Sequence, residues 1–299
     1  MSILVVGTVA LDNVTTPFGK VKNALGGSAT YSAVSASFFG KVKLVGIVGK
    51  DFPRQFISFL ISHNIDTNGL DIARGKTFSW SGKYTFDLNN PQTLKTELNL
   101  LARFNPNIPE EYKKERFLFL ANIDPHVQLS VLKQLYRPKL VVADTMNYWI
   151  EHEKKALKKV MQKSDILVVN DAEAREFSGE SNLLKAAKAL LAHGPLLVII
   201  KRGEHGCSLF SPSFTFHIPA YLLEDLADPT GAGDTFAGGF LGYLASCSRI
   251  NEGTFKKAIA YGTIMASFVV EDFSLNRLKK ITKKDIQARF IHFRKMTRF

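Results

Sequence analysis

The chain is predicted to be an α/β protein, built on a doubly wound, mostly parallel sheet flanked by helices and carrying a small β-sheet lid. Three observations predict it. Short apolar runs rich in Val, Ile and Leu recur at 3–9, 42–48, 117–123, 140–143, 166–169 and 196–200; continuous runs of this kind suit strands buried on both faces. Segments of helical periodicity fall between them, at 28–39, 53–63, 127–136, 151–162 and 183–193, the alternation expected of a parallel sheet with crossover helices. One stretch breaks the rhythm. Residues 78–88 alternate with period two, which puts Phe78, Trp80, Tyr84, Phe86 and Leu88 on one face and Ser79, Ser81, Lys83, Thr85 and Asp87 on the other, the pattern of a strand covered on one side only.

Taken in order, the first run reads as a buried strand and not as a leader, because residues 1–14 lack a basic start and a small-residue cleavage site. Asp12 stands just past it. Lid segments are expected at about 13–22 and 76–100, attached to a single domain spanning 1–299. Polar residues also stand just beyond the later strands: Asn122 and Asp124, then Asp144, Asn170, and Lys201 with Gly203. In open parallel sheets ligands bind beyond the carboxyl ends of the strands, so this row marks a cleft. Each member taken singly suits a turn or a helix cap equally well.

Composition limits the function classes. A chain of 299 residues with 45% apolar and 22% charged residues is long enough for a substantial core and is not that of a disordered protein. No apolar run reaches the ~18–20 residues needed to span a bilayer, so no membrane partner is expected. Cys207 and Cys247 have neither metal-type spacing nor a disulfide framework, which suits a reducing cytoplasm. The net charge of +12 comes from 39 Lys and Arg against 27 Asp and Glu spread along the chain. The densest cluster, Lys279, Lys280, Lys283 and Lys284, leads into an amphipathic surface helix within 281–296. A solvated face accounts for it, and no specific nucleic-acid partner is expected.

The chemistry concentrates in Asp228-Pro229-Thr230-Gly231-Ala232-Gly233-Asp234-Thr235-Phe236-Ala237-Gly238-Gly239-Phe240. Pro229 and the glycines make a tight turn, and Phe236, Phe240, Leu241 and Leu244 then recur at helical spacing. A Gly-rich turn that opens a helix offers bare N–H groups and the positive end of the helix dipole to an anion. Asp234 beside that anion site has the chemistry of a base for an attacking hydroxyl, and a weak base suffices for a loose phosphoryl-transfer transition state. Read without the glycines, Asp234 is an ordinary N-terminal cap. Gly238, Gly239 and Gly242 are poor helix formers and imply close approach of another backbone or a ligand.

This segment resembles the C-terminal signature of the ribokinase/PfkB family of carbohydrate and nucleoside kinases, and Gly26-Gly27-Ser28-Ala29-Thr30-Tyr31 resembles that family's N-terminal Gly-Gly motif. The resemblance covers essentially the whole chain. It implies a ribokinase-like fold, Asp234 as catalytic base, and an anion hole at Gly231, Ala232 and Gly233. It places the acceptor against Asp12, Gly26 and Gly27, with Tyr31 and Asn122 alongside; a carboxylate such as Asp12 accepts hydrogen bonds from two neighbouring hydroxyls. It assigns ATP contacts to Asn170, Glu173, Lys201, Gly203 and Gly206. Mg²⁺ belongs near Glu173, directly or through water, and a monovalent cation such as K⁺ near Asp228 and Thr230. Ribokinases proper carry an Asn where this chain has Tyr31, which puts ribose itself in doubt. Trp80 and Tyr84 in the lid suit either covering a sugar or stacking on a base, and a lid edge that pairs suggests a homodimer.

The function expected is transfer of the γ-phosphoryl group of ATP to a hydroxyl of a small sugar-like molecule. A nucleoside (adenosine-type) acceptor and a catalytically silent kinase-fold binding protein are the alternatives. No G-x-x-x-x-G-K-[ST] loop occurs, and no G-x-G-x-x-G follows the first strand, which sets aside P-loop and dinucleotide enzymes. Hydrolysis through Asp144 and Asp12 lacks any link to a phosphate site.

Overall fold

The computed structural model describes residues 1–89 and 91–298. Strand β1 (Ile3–Val6) leads directly into β2 (Ala10–Thr16) and β3 (Gly19–Gly26), then helix α1 (Ser28–Ser37), β4 (Val42–Gly49), α2 (Arg54–Ser62), β5 (Ile65–Ala73), β6 (Phe78–Lys83) and β7 (Gln92–Glu97). The second part runs through β8 (Phe117–Leu120), α3 (Pro125–Gln134), β9 (Leu140–Asp144), α4 (Asn147–His152), α5 (Lys154–Met161), β10 (Ile166–Asn170), α6 (Asp171–Ser178), α7 (Leu183–Leu191) and β11 (Leu197–Lys201). It closes with β12 (Cys207–Phe210), β13 (Thr215–Ile218), α8 (Ala232–Ser246), α9 (Glu252–Val269) and α10 (Lys283–Met296).

Nine strands form one sheet in the order β13-β12-β11-β10-β9-β8-β1-β4-β5. All neighbours are parallel except the β11–β12 and β12–β13 pairs. β1 lies between β4 and β8, with Ile3 opposite both Val42 and Phe117. Side chains alternate across a strand, so Ile3 and Val5 enter one core with α1, α8 and α9, while Leu4 and Val6 enter the other with α3, α5, α6 and α7. Burial on both faces is why these strands read as unbroken apolar runs.

Four strands, β3-β2-β6-β7, form the smaller lid sheet, in which β2 and β6 are parallel. The lid begins earlier than the expected residue 13, because β1 stops at Val6 and Ala10 already pairs with Gly26. Asp12 is therefore a lid residue. The period-two face over 78–88 ends at Lys83. A register shift falls between Ser81 and Gly82, the Trp80 ring covers the bare backbone of Gly82, and the chain leaves the sheet. Tyr84 turns inward, whereas Phe86 is 87% exposed. Ser79 and Ser81 are held by hydrogen bonds inside the lid: Ser79 Oγ donates to Leu11 O (2.8 Å), and Asn13 Nδ2 donates to Ser81 Oγ (3.3 Å).

Other boundaries also differ. The helix expected at 151–162 is two, α4 and α5, broken at Glu153, whose backbone (φ −126°, ψ 32°) is not helical. Edge strands β5 and β13, the short strand β12 between β13 and β11, and helix α9 carry weak patterns. β5 is polar because only part of it is covered. α9 is buried around most of its circumference and so shows no apolar stripe. Gly238, Gly239 and Gly242 in α8 answer to close packing, as their helix-breaking character implies: a Cβ on Gly238 would strike Ser32 O, and one on Gly242 would lie 3.0 Å from Ala36 Cα, both in α1. Ser35 Oγ bonds Thr235 O at 2.7 Å across the same seam.

Candidate active site

The turn before α8 has the geometry that the Gly-rich segment calls for. Gly231 is the N-cap in the left-handed region (φ 76°), and the Tyr31 ring lies so close that a Cβ there would overlap it. Glycine is needed for both reasons. Thr235 N–H donates to Gly231 O (2.8 Å), which starts the helix. Of the three residues expected to form the anion hole, Ala232 gives its N–H to Pro229 O at 3.1 Å. Among the described residues, the amides of Gly231 and Gly233 meet no acceptor, which leaves them for an incoming anion.

Asp234 stands in the first turn of α8, partly exposed at the wall of this cleft. Loss of water around it, then the nearby Asp144 carboxylate, pushes its carboxyl up to about 7, against the opposing pull of Lys201. The parallel register sets Lys201, at the end of β11, beside Asn170 at the end of β10. Lys201 Nζ reaches Asp144 Oδ2 at 3.5 Å, and a Cβ on Gly233 would lie 2.8 Å from the same Nζ. The ammonium thus sits against the turn. Glu173 joins the group from α6, where Asn170 and Glu173 form a capping box: Glu173 N–H donates to Asn170 Oδ1 (2.8 Å) and Asn170 N–H to Glu173 Oε2 (2.7 Å). Burial raises the Glu173 carboxyl to about 8, opposed by Lys201.

Three carboxyl groups near one ammonium supply the oxygen donors that a hard divalent cation takes, and a bound cation would favour their ionised forms. Among the described residues no group of three His, Cys, Asp or Glu side chains is disposed to hold a metal unaided. This donor set fits Mg²⁺, which is usually held by one or two carboxylates together with nucleotide phosphates.

The residues expected to meet the acceptor are assembled differently. Asp12 is buried on β2, and its carboxylate lies against Gly26, where any Cβ would collide with it. Burial raises the Asp12 carboxyl to about 7; the Gly27 N–H opposes this, and Asp228 and Asp234 add to it. Tyr31, on α1, is buried and feels Asp12, Asp228 and Asp234, so these groups converge on one space. Tyr84 comes down from the lid, and Thr230 Oγ1 donates to its hydroxyl at 3.3 Å. The Asp228 carboxylate accepts from Thr230 N–H (2.9 Å) and Ser274 N–H (3.4 Å) and ties the two loops together.

Four residues expected to meet a ligand have the following neighbours within the protein. Asn122 accepts from Trp149 Nε1 (2.9 Å) and donates to Met146 Sδ (3.2 Å). Gly206 has φ 83° and packs on Ile218 O. Gly203 is approached by Asn89 Oδ1 of the lid loop. Trp80 donates to Thr93 Oγ1 (3.2 Å) on the neighbouring lid strand. Asp144, which the sequence places only in the general row of strand-end residues, is joined to this cluster by its ion pair with Lys201. Its signal was position alone, one residue at the end of a buried strand, without a motif to single it out.

The fold and the site define a ribokinase-fold phosphotransferase. The model of the pfkB family carbohydrate kinases matches residues 3–281, and the chain belongs to that family. It is 33% identical to the cytidine kinase of Thermococcus kodakarensis over 262 residues, 84% of this chain and 93% of that protein. The crystal structure of the Methanocaldococcus jannaschii nucleoside kinase, an archaeal member of the ribokinase family, superposes with a TM-score of 0.78 at 21% identity, over 97% of this chain and 98% of that one. The nucleoside kinase of Burkholderia thailandensis in complex with ADP-inosine gives a TM-score of 0.79 at 17% identity, over 97% and 95% of the two chains. Both likenesses are of fold. No helix among the described residues is long and apolar enough to cross a membrane.

Proposed function

We propose that this enzyme phosphorylates a nucleoside, using Mg·ATP, and that the acceptor is a hydroxyl of the nucleoside's ribose. The observation that carries this reading is the similarity to a cytidine kinase along most of both chains. The site supports it. Asp12, set between lid and core, can accept hydrogen bonds from a vicinal diol, and a bulky Tyr31 stands where ribokinases have a smaller amide. The nucleoside alternative therefore takes precedence over the free-sugar expectation.

In this mechanism Asp12 orients the ribose and Asp234 accepts the proton of the attacking hydroxyl as its oxygen bonds the γ-phosphorus and the bond from that phosphorus to the bridging oxygen breaks, releasing ADP. The amides of Gly231 and Gly233 stabilise the oxygens of the transferring phosphoryl. Asn170 and Glu173 face the nucleotide side, and bound Mg²⁺ neutralises phosphate charge there. A K⁺-like ion near Asp228 and Thr230 belongs to the same proposal. Its support is a buried Asp228 that, among the described residues, has no Lys or Arg ion-pair partner.

A panel assay of ADP release with Mg·ATP tests the acceptor. One or more of cytidine, uridine, adenosine, inosine and guanosine should exceed ribose and fructose in kcat/KM by about a hundredfold, as expected when ~3 kcal/mol of base contacts are lost. Equal or better turnover of the free sugars would overturn the nucleoside reading and leave the kinase assignment standing.

A further inference from the structure

Lys201 and Asp144 form a pair that the proton transfer does not use. Both are carried at the carboxyl ends of central strands, β11 and β9. Asp144 is only 4% exposed. Its Oδ1 accepts from Thr145 N–H at 2.8 Å, which leaves Oδ2 facing Lys201 Nζ at 3.5 Å. Gln128, itself buried, donates through Nε2 to Leu120 O, Ala121 O and Asp144 O at 3.1–3.3 Å. The backbone carrying Asp144 is therefore clamped between β8 and β9. A carboxylate buried this firmly fixes the ammonium that faces it, and that ammonium stands against Gly233, the bare residue of the phosphate turn.

A separation of 3.5 Å is long for a charge-assisted hydrogen bond. It describes a lysine held in place by attraction and not locked by a tight contact. Lys also keeps a mobile stem and three donors that rotate together, and it meets phosphate as a point charge. Glu173 and Asp234 share the same ammonium electrostatically. With Asp144 at 3.5 Å, Glu173 and Asp234 near enough to act on its charge, and the amide turn beside it, Lys201 is placed to contact an anion seated on that turn.

We propose that Asp144 is a positioning residue that holds the Lys201 ammonium beside the phosphate turn, and that Lys201 contacts the terminal phosphoryl group of the bound triphosphate more strongly than the two phosphates of the diphosphate product. The pair thus discriminates ATP from ADP. It gives the enzyme a cation that follows the migrating charge and is returned to Asp144 after transfer. This inference deepens the Mg·ATP assignment and rests on it.

Titration calorimetry on the whole protein, with Mg²⁺, tests it using ADP and a non-hydrolysable β,γ-imido analogue of ATP. In the wild type both should bind; failure of both would sink the nucleotide assignment itself. Lys201→Met should weaken the triphosphate analogue by about tenfold or more relative to ADP, the loss of one charge-assisted contact of roughly 1.5–3 kcal/mol. Lys201→Arg should recover part of that preference. Asp144→Asn retains the shape and leaves the ammonium unanchored; it should reduce the preference for triphosphate by a few-fold while leaving acceptor KM within twofold. Equal weakening of ADP and the analogue in Lys201→Met, or an unchanged preference in both Lys201→Met and Asp144→Asn variants that still bind ADP, would overturn the proposal. If Lys201→Met fails to fold, Lys201→Gln and Asp144→Asn carry the same test.

Discussion

The phosphate end and the acceptor end of this site are built by opposite means. At the phosphate end, Gly231, Gly233 and Asp234 lie within four consecutive residues, and one local turn positions all of them. At the acceptor end, Asp12 lies on a lid strand whose partner residues are Ala24 and Trp80, and Tyr31 and Tyr84 arrive from a core helix and a lid loop. The first end is set locally, because a helix begins there and α1 packs closely on it, with the Tyr31 ring against Gly231 and the Ser32 backbone against Gly238. The second depends on the lid sheet keeping its place over the core. Under the proposed function, phosphoryl-transfer chemistry falls to the local device and recognition of the acceptor to the distributed one. Substitutions at the two ends should therefore change different kinetic constants.

The largest effect belongs to the phosphate end. Asp234→Asn keeps the shape of the turn and removes the base, and kcat should fall by about a thousandfold, within the range that general bases contribute, while the Kd for ADP stays within about threefold. A variant retaining wild-type turnover would break the division at its centre. The same carboxylate sets the pH dependence. Its carboxyl stands at about 7 in the free enzyme, and only the ionised form accepts a proton. Thus kcat/KM should rise through neutral pH and level off above it, and the rising limb should disappear in Asp234→Asn.

A smaller effect, on a different constant, is expected at the acceptor end. Asp12→Asn keeps volume but loses a charged acceptor of hydroxyl hydrogens. The acceptor KM should rise about ten- to a hundredfold, the equivalent of a charge-assisted hydrogen bond, with KM for ATP changed by less than twofold. Equal increases in both would mean that Asp12 acts on the shape of the whole cleft and not on the acceptor.

The same contrast governs what could be read from the sequence. The phosphate turn was legible because spacing, glycine content and the following apolar periodicity all lie in one short segment. The central strands were legible because burial on two faces leaves continuous Val, Ile and Leu runs. The Asn170–Glu173 pair was legible as a helix start, and the capping box that opens α6 bears this out. Asp12 was found through its position after the first strand, yet its membership of the lid was not, because β1 and β2 join without a turn signal. Lid boundaries failed where side-chain alternation stopped reporting burial: Ser79 and Ser81 satisfy each other's neighbours by hydrogen bonds, and Phe86 points to solvent. Asp144 gained its meaning only through Lys201, fifty-seven positions later in the chain and brought beside it by the register of β9, β10 and β11. Such pairings leave no local pattern.

The smallest predicted effect lies where the two ends meet. Tyr84 is the lid residue that touches the loop leading into the phosphate turn, through Thr230 Oγ1 at 3.3 Å. Burial raises its hydroxyl well above the usual phenol range, so it stays neutral throughout the working pH and serves only as a hydrogen-bonding group. Tyr84→Phe removes that group and keeps the ring. Loss of one neutral hydrogen bond costs about 0.5–1.5 kcal/mol, so a two- to tenfold change is expected. If the lid only shapes the acceptor space, the change falls on acceptor KM. If it also presses the turn into its working form, kcat falls by the same factor and the acceptor KM does not move. Steady-state kinetics on this one variant, read beside Asp12→Asn, therefore distinguishes a lid that recognises from a lid that also sets the phosphate turn.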